Sequence, residues 1–418
     1  MEQRPCIQIP MADVFDPRTF ARGVPHKDLQ LLRDTDPVSW QEEPEVGIWP
    51  SGPGYWAVTR YADVRHVLRS PAHFSSSLGA TQIRDPDPAD LPFIRQMILN
   101  MDPPEQLRLR RLVTGAFTRR RLEQQAGVVR ARAAALLGAV AERRRCDLPR
   151  EVTDDLPLQN LADLLGVPAA DRALLLEWTN RVIGYQDPEH GHVVTDADGR
   201  PINPRSPAML ADMFGYAEEL AERKRREPAD DVMTALVQAE VEGERLTDAE
   251  LKMFFFLLVI AGNDTVRSAL PGGVLALVRN PEAYRRLRAD PSLLPSAIEE
   301  MLRVHPPVLT FRRTASRDQE LSGRRIAAGD KVVVYHVSAN FDERRFPDPF
   351  RFDIERDDND HLAFGQGPHQ CLGAAFARLQ MREFFSELLR LPQVELDGEP
   401  RRLVSNFING LTSLPLRW

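Results

Sequence analysis

The sequence predicts a mainly α-helical protein with a small β component, on three observations. Helical spacing of apolar residues dominates from Pro103 to Pro306. Alternating β-type runs are short, confined to residues 54–63 and to the stretch beyond Pro306. No internal repeat or low-complexity linker divides the 418 residues, so one large domain spanning 1–418 is expected, although length alone suggests two or three. A hydrophobic share of 43% supplies a large core.

Taken in order, GYWAVTRYAD (54–63) reads as a strand entering a helix, because aromatic and β-branched residues give way to the helical spacing of DVRHVLRS. Residues 75–99, with Pro86, Pro88 and Pro92, read as irregular. Pro103 and Pro104 ahead of a Leu/Arg/Ala run suit a helix start. Residues 184–207 break the pattern again, as binding loops and lids do. The strongest helix runs from about Thr247 to Arg279, with Thr247 as N-cap and Glu250 completing a capping box. Its greasiest stretch, MFFFLLVIAG (253–262), falls short of the ~20 residues a membrane span needs and meets Asn263 and Asp264, so it reads as a buried core helix. KVVVYHV (331–337) reads as a strand, a final amphipathic helix follows Cys371, and NFINGLTSLPLRW is strand-like.

Composition excludes several functions. A net charge of −7 argues against nucleic acid, and the clusters Arg119–Arg121, Arg143–Arg145 and Arg223–Arg226 read as solvated helix faces. The start, MEQRPCIQIPMADVF, lacks the layout of a secretory signal, which points to a cytoplasmic protein without a membrane segment. Three cysteines, Cys6, Cys146 and Cys371, cannot build a disulfide framework and suit a reducing compartment. Cys6 and Cys146 suggest no role.

Cys371 is different. It sits in FGQGPHQCLG (364–373), a glycine-rich loop just ahead of a helical run. Glycines let backbone approach something flat or bulky, and a helix start favours the thiolate. A thiolate without cysteine neighbours suits a metal already held by another chelator, since zinc needs more ligands nearby. An iron porphyrin is such a case; an ordinary buried thiol in a turn is the plainer alternative.

The ten-residue pattern, with Phe364, Gly365, His369, Cys371 and Gly373 in register, resembles the haem-binding loop of cytochrome P450 monooxygenases. Three further segments resemble the same family in the same order. Glu300-Met-Leu-Arg303 is similar to its E-x-x-R helix, and Arg356 in PDPFRFDIER matches the arginine that completes a buried ion triad. Ala261-Gly-Asn-Asp264-Thr265 is similar to its oxygen-activation motif. An acid and an alcohol in an apolar helix are costly unless satisfied, and the threonine can bond back to a carbonyl one turn earlier. Arg110, Arg312 and His369 match cations for the haem propionates, while Gln106 stands where the commonest bacterial form has histidine. The likeness runs from about Trp56 to the C-terminus and is strongest to soluble bacterial members that oxidise terpenoids, sterol side chains or alkanes.

The resemblance implies the cytochrome P450 fold around haem b (iron protoporphyrin IX) ligated by Cys371, and activation of O2 there. Asp264 would relay protons and Thr265 would hold oxygen or water by hydrogen bonding. Leu257 and Ala261 share a helix face with Thr265 and, with Val308, Leu309, Phe407 and Ile408, would line the substrate pocket under a roof formed by 75–99 and 184–207. Electrons would come from a ferredoxin and an NAD(P)H-dependent ferredoxin reductase, docking near Gln370 and Arg378. The expected reaction is hydroxylation of a lipophilic small molecule such as a terpenoid, steroid or other secondary metabolite, by a monomer. The alternatives are a biosynthetic enzyme that cyclises, couples or desaturates, and a non-catalytic haem-binding protein, for which an acid–alcohol pair has no use.

Overall fold

A computed structural model describes residues 13–46, 50–183 and 206–418. The larger helices are α1 (Glu105–Thr114), α2 (Ala126–Glu142), α3 (Leu156–Leu165), α4 (Arg172–Ile183), α5 (Ala211–Arg226), α6 (Asp248–Arg279), α7 (Leu294–Val304) and α8 (Ala374–Leu388). α6 is the central strut, and α3, α4, α5, α7 and α8 all pack against it. Its start is fixed locally, as its sequence predicts: Glu250 N–H donates to Thr247 Oγ1 at 3.2 Å, and Thr247 N–H donates to Glu250 Oε2 at 2.8 Å. Buried residues such as Phe254, Phe255, Phe256 and Val259 surround its axis, the signature of a core helix.

One expectation is corrected here. The helix runs through Asn263 and Asp264 for 32 residues, or ~48 Å, as the Thr247–Arg279 reading predicts, but its apolar stretch is not confined to residues 253–262. It is therefore long and apolar enough to cross a membrane, but 61% of its most apolar window is buried inside the protein.

The main sheet contains β1 (Val38–Gln41), β2 (Tyr55–Val58), β3 (Phe74–Ser75), β4 (Thr310–Ala315) and β5 (Lys331–Tyr335) in the order β1-β2-β5-β4-β3. β2 and β5 run parallel, and the other pairs run antiparallel. Register decides which side chains reach the interior. Val334 lies opposite Phe311 and Val332 opposite Arg313, so these four share one face, while Arg312 and Val333 share the other.

A smaller sheet joins Arg145–Asp147, Pro415–Arg417 and Glu395–Leu396, which accounts for the strand-like C-terminus. Cys146 lies within it, and burial pushes its thiol up to about 12, so it is an inert packing residue. Cys6 and positions 184–205 lie outside the described residues. Residues 75–99 contain only the end of β3, a helical turn at Leu91–Ile94 and the beginning of a second at Ile98–Asn100. Two of the basic clusters are ion-paired helix faces: Arg121 meets Asp230 at 3.2 Å, Arg225 meets Asp248 at 2.6 Å and Lys224 meets Asp231. Arg143–Arg145 is not: it follows the end of α2, Arg144 has a φ of +56° and Arg145 opens the strand Arg145–Asp147.

Candidate functional site

One internal cavity gathers residues from α1, α6, the β4–β5 region, the C-terminal turn and the loop before α8. The loop forms its floor. Gly365 and Gly367 adopt φ of +64° and +75°, and a Cβ at Gly367 would stand 2.5 Å from the Leu68 carbonyl oxygen. Only glycine lets the loop rest so close on the helix Tyr61–Arg69. Cys371 N–H donates to the Phe364 carbonyl at 2.9 Å, and the cysteine, with Phe364, Gly365, His369 and Gly373, lines the cavity. Burial pushes the Cys371 thiol up, while the Gly373 amide, Arg110, Arg378 and the Ala374 amide pull it down. The net direction is upward, although the residue is exposed to the cavity.

Two adjacent glutamates on α7 brace the loop from behind. Glu300 is fully buried and receives Arg303 Nε at 2.7 Å, Arg303 Nη2 at 2.8 Å and Arg356 Nε at 3.1 Å. The Asn359 side chain and the Asp353 amide donate to it as well, at 3.0 and 2.9 Å. The triad of Glu300, Arg303 and Arg356 is thus assembled. Glu299 grips Arg378 through two bonds of 2.7 Å and His361 Nε2 at 3.2 Å. Arg378 in turn lies 4.4 Å over the Phe364 ring. Burial opposes ionisation of Glu299, but the hydrogen bonds from Arg378 and His361 outweigh it and hold the acid at about 2.

α6 supplies another wall through Leu257, Ala261, Asp264 and Thr265. Thr265 Oγ1 donates to the Ala261 carbonyl at 3.0 Å, the back-bond its position suggests. Asp264 is buried 3.9 Å from Arg267, which donates to Asp154 at 2.6 Å. Val308, Phe407 and Ile408 also face the cavity.

Two assignments from the sequence change. Leu309 packs into a core cluster with Val333 and Tyr335, away from the cavity. Arg312 points to the far face of β4, where Nη1 meets Asp85 at 2.6 Å and the Ile83 carbonyl at 3.3 Å. It is Arg313 that reaches the cavity, because neighbouring strand residues point to opposite faces. The alternation of FRRTA around Phe311 held that signal.

The remaining predicted residues do converge. Arg110 lines the cavity and forms no ion pair among the described residues. Gln106 Nε2 donates to the Pro368 carbonyl at 2.8 Å, tying α1 to the cysteine loop, while its Oε1 is buried without a partner among the described residues. His369 Nε2 lies 3.2 Å from Ser76 Oγ, and burial beside Arg313 pushes the ring down to about 3, so it is neutral. The sequence reading missed Arg313, Glu299 and His336, another buried residue on the cavity wall.

The family described as Cytochrome P450 matches residues 194–416. The methyl-branched lipid omega-hydroxylase of Mycobacterium tuberculosis is 40% identical over 421 residues, covering 98% of this chain and 96% of that one. The steroid C26-monooxygenase of the same organism is 36% identical over 411 residues, covering 96% and 91%. Among solved structures, Mycobacterium marinum cytochrome P450 CYP268A2 in complex with pseudoionone superposes with a TM-score of 0.84 at 36% identity, covering 99% of this chain and 100% of that one. CYP108D1 from Novosphingobium aromaticivorans gives 0.85 at 32%, covering 98% and 99%.

The residues present fit a cysteine-ligated haem. A single sulfur lies on the floor of an apolar cavity, and a bonded metal cation supplies the stabilisation that its thiolate lacks. Arg313 is 3% exposed without a carboxylate in ion-pair range among the described residues, a costly state for a guanidinium that an acidic group in the cavity relieves. Near-full-length likeness in sequence and fold, joined to this floor and these walls, establishes that the chain belongs to the cytochrome P450 family, as a haem-thiolate monooxygenase that hydroxylates lipophilic molecules with O2 and electrons from redox partners.

Proposed function

We propose that this enzyme hydroxylates an apolar chain end, on a branched lipid or on the side chain of a steroid or terpenoid, with Cys371 as the iron ligand. The observation that carries the reading is that Cys371 and the Asp264–Thr265 pair open into one cavity whose other walls include Phe254, Phe256, Leu257, Val308, Phe407 and Ile408. A 40% identical relative named for omega-hydroxylation of a methyl-branched lipid supports the choice of position. The haem, when bound, supplies the reductive activation of O2.

The protein's own groups have separate tasks. Amides of Gly373 and Ala374 and the charges of Arg110 and Arg378 stabilise negative charge on the Cys371 sulfur. Thr265 gives its proton to the Ala261 carbonyl, which leaves its oxygen turned to accept a hydrogen bond from the cavity. Asp264 connects through Arg267 to Asp154, a charged path by which protons move between solvent and Thr265. Arg110, Arg313, His369 and the second N–H of Gln106 hold the haem's carboxylates. An intact acid–alcohol pair favours oxygen insertion over ring closure, coupling or desaturation.

The same proposal includes a single-domain, monomeric, cytoplasmic enzyme fed by a ferredoxin. A hollow lined by Arg60, Arg65, Arg69, Arg344 and Arg345, with Asp342 paired to Arg344, adjoins the cysteine loop, where Arg65 Nε donates to Gln366 at 3.0 Å. Its charge suits an acidic partner. Reversing Arg65 and Arg69 to glutamate is expected to slow reduction by an acidic ferredoxin about tenfold or more at low salt. Equal rates at every ionic strength would remove this docking face.

The decisive test of the whole reading is Cys371→Ser. The reduced carbon-monoxide complex of the wild type is expected to absorb at the long wavelength of thiolate-ligated haem, and the variant is expected to lose that band. A serine variant that kept it would refute Cys371 as ligand.

A further inference from the structure

His336 is a buried group for which the proposed reaction has no use. It follows β5 directly, and Val332, Val334 and His336 fall on the face shared with Phe311 and Arg313. The ring lies 5.8 Å from that of Phe311, the residue is 2% exposed, and it lines the cavity. Among the described residues neither Nδ1 nor Nε2 completes a hydrogen bond of normal geometry; the one approach is a weak one to the Val308 backbone. Burial and the Arg313 charge push the ring down to about 4, so it is a neutral imidazole with one N–H to give.

Other buried histidines show what a merely structural ring does. His305 Nε2 reaches the Asn409 carbonyl at 2.8 Å, and His361 Nε2 reaches Glu299 at 3.2 Å. A buried imidazole without such partners forfeits its hydration for nothing unless something in the cavity answers it. Arg313, on the same face, has the matching need. Its Nη1 donates to the Arg312 carbonyl at 2.8 Å, and the rest of the guanidinium has no carboxylate partner among the described residues.

We propose that Arg313 and His336 form a carboxylate-binding pair in the cavity wall, the guanidinium supplying charge and the imidazole one N–H. A hydroxyl or ketone would leave the arginine charge unbalanced, whereas a carboxylate satisfies both groups at once. That carboxylate is carried either by the haem's edge or by an acidic lipid substrate. The inference rests on the haem-and-lipophile reading above, and it adds His336 as a positioning residue.

The test uses holoenzyme of the wild type, His336→Phe and His336→Gln, the glutamine retaining an N–H donor. Two quantities are measured: the rate of haem transfer to excess apomyoglobin, and the spin-state binding constants for a methyl-branched fatty acid and its methyl ester. If the haem carries the carboxylate, His336→Phe loses haem about fivefold faster or more, and His336→Gln stays close to the wild type. If the substrate carries it, haem loss is unchanged but the preference for acid over ester falls about fivefold in the phenylalanine variant and returns in the glutamine variant. A phenylalanine variant that folds by circular dichroism yet retains no haem counts with the first result. If it does not fold, His336→Leu takes its place in both measurements. Both quantities staying within about twofold of the wild type, with the carbon-monoxide band intact, would overturn the pair and leave the P450 reading standing. A wild type without that band would defeat the reading itself.

Discussion

The Glu300 cluster and the cavity wall are buried to the same degree, yet they answer their charges in opposite ways. Glu300 and Arg303 are fully buried, and Arg303, Arg356, Asn359 and the Asp353 amide satisfy both carboxylate oxygens from within the chain. Arg313 and His336 are 3% and 2% exposed, but among the described residues their polar atoms find few partners, and Gln106 Oε1 finds none. Burial alone therefore does not separate scaffold from site. Saturation does: a buried charge answered by the chain is scaffold, and one left open awaits a ligand.

The largest expected effect comes from breaking the saturated side. Glu300→Gln leaves two buried guanidiniums against a neutral amide, at a cost of about 3–5 kcal/mol. Urea denaturation is expected to show a much lower midpoint and little haem in the purified protein. A midpoint equal to the wild type's would mean that the cluster's saturation contributes nothing.

A middle-sized effect separates the two neighbouring arginines. Arg313→Leu removes a buried charge without a carboxylate partner, so the apoprotein is expected to keep its stability within ~1 kcal/mol or gain. Its haem affinity is expected to fall about tenfold or more. Arg312→Leu is expected to do the reverse, because Arg312 pins residues 83 and 85 to the sheet. Haem transfer stays at the wild-type rate, while limited proteolysis within 75–99 accelerates. The opposite pattern would show that the two side chains face the other way.

These two regions were unequally legible in the sequence. The capping box of α6, the Glu300–Arg303 spacing and the cysteine loop all depend on residues close together in the chain, and each appears as read. Alternation within FRRTA separates Arg312 from Arg313, but which of the two faces borders the cavity is set by long-range packing around β4, as is the burial of Leu309. Asn263 and Asp264 read as the end of the apolar stretch, though not of the helix, because only solvent-facing positions are normally polar. Asp264 is tolerated within α6 because its side chain borders the cavity. Glu299 was invisible since His361 and Arg378 lie 62 and 79 residues away.

Glu299 sits between the two regions and gives the smallest predicted effect. Its oxygens are answered like those of Glu300, but its side chain is 26% exposed, so water shares in the balance. The folded protein holds this acid at about 2, below its ordinary 4.5, through Arg378 and His361. A depressed carboxylate stabilises the fold fully above the unfolded value and loses that contribution as pH falls from about 4.5 towards 2. Glu299→Gln never has it. The wild type is therefore expected to exceed the variant by on the order of 2 kcal/mol at neutral pH, with the gap narrowing below pH 4.5 and closing near pH 2. Urea midpoints for both proteins across that range measure the gap directly. A difference that stayed constant through the acid range would show that Glu299 acts by packing rather than charge, and would move it to the same class as an uncharged spacer.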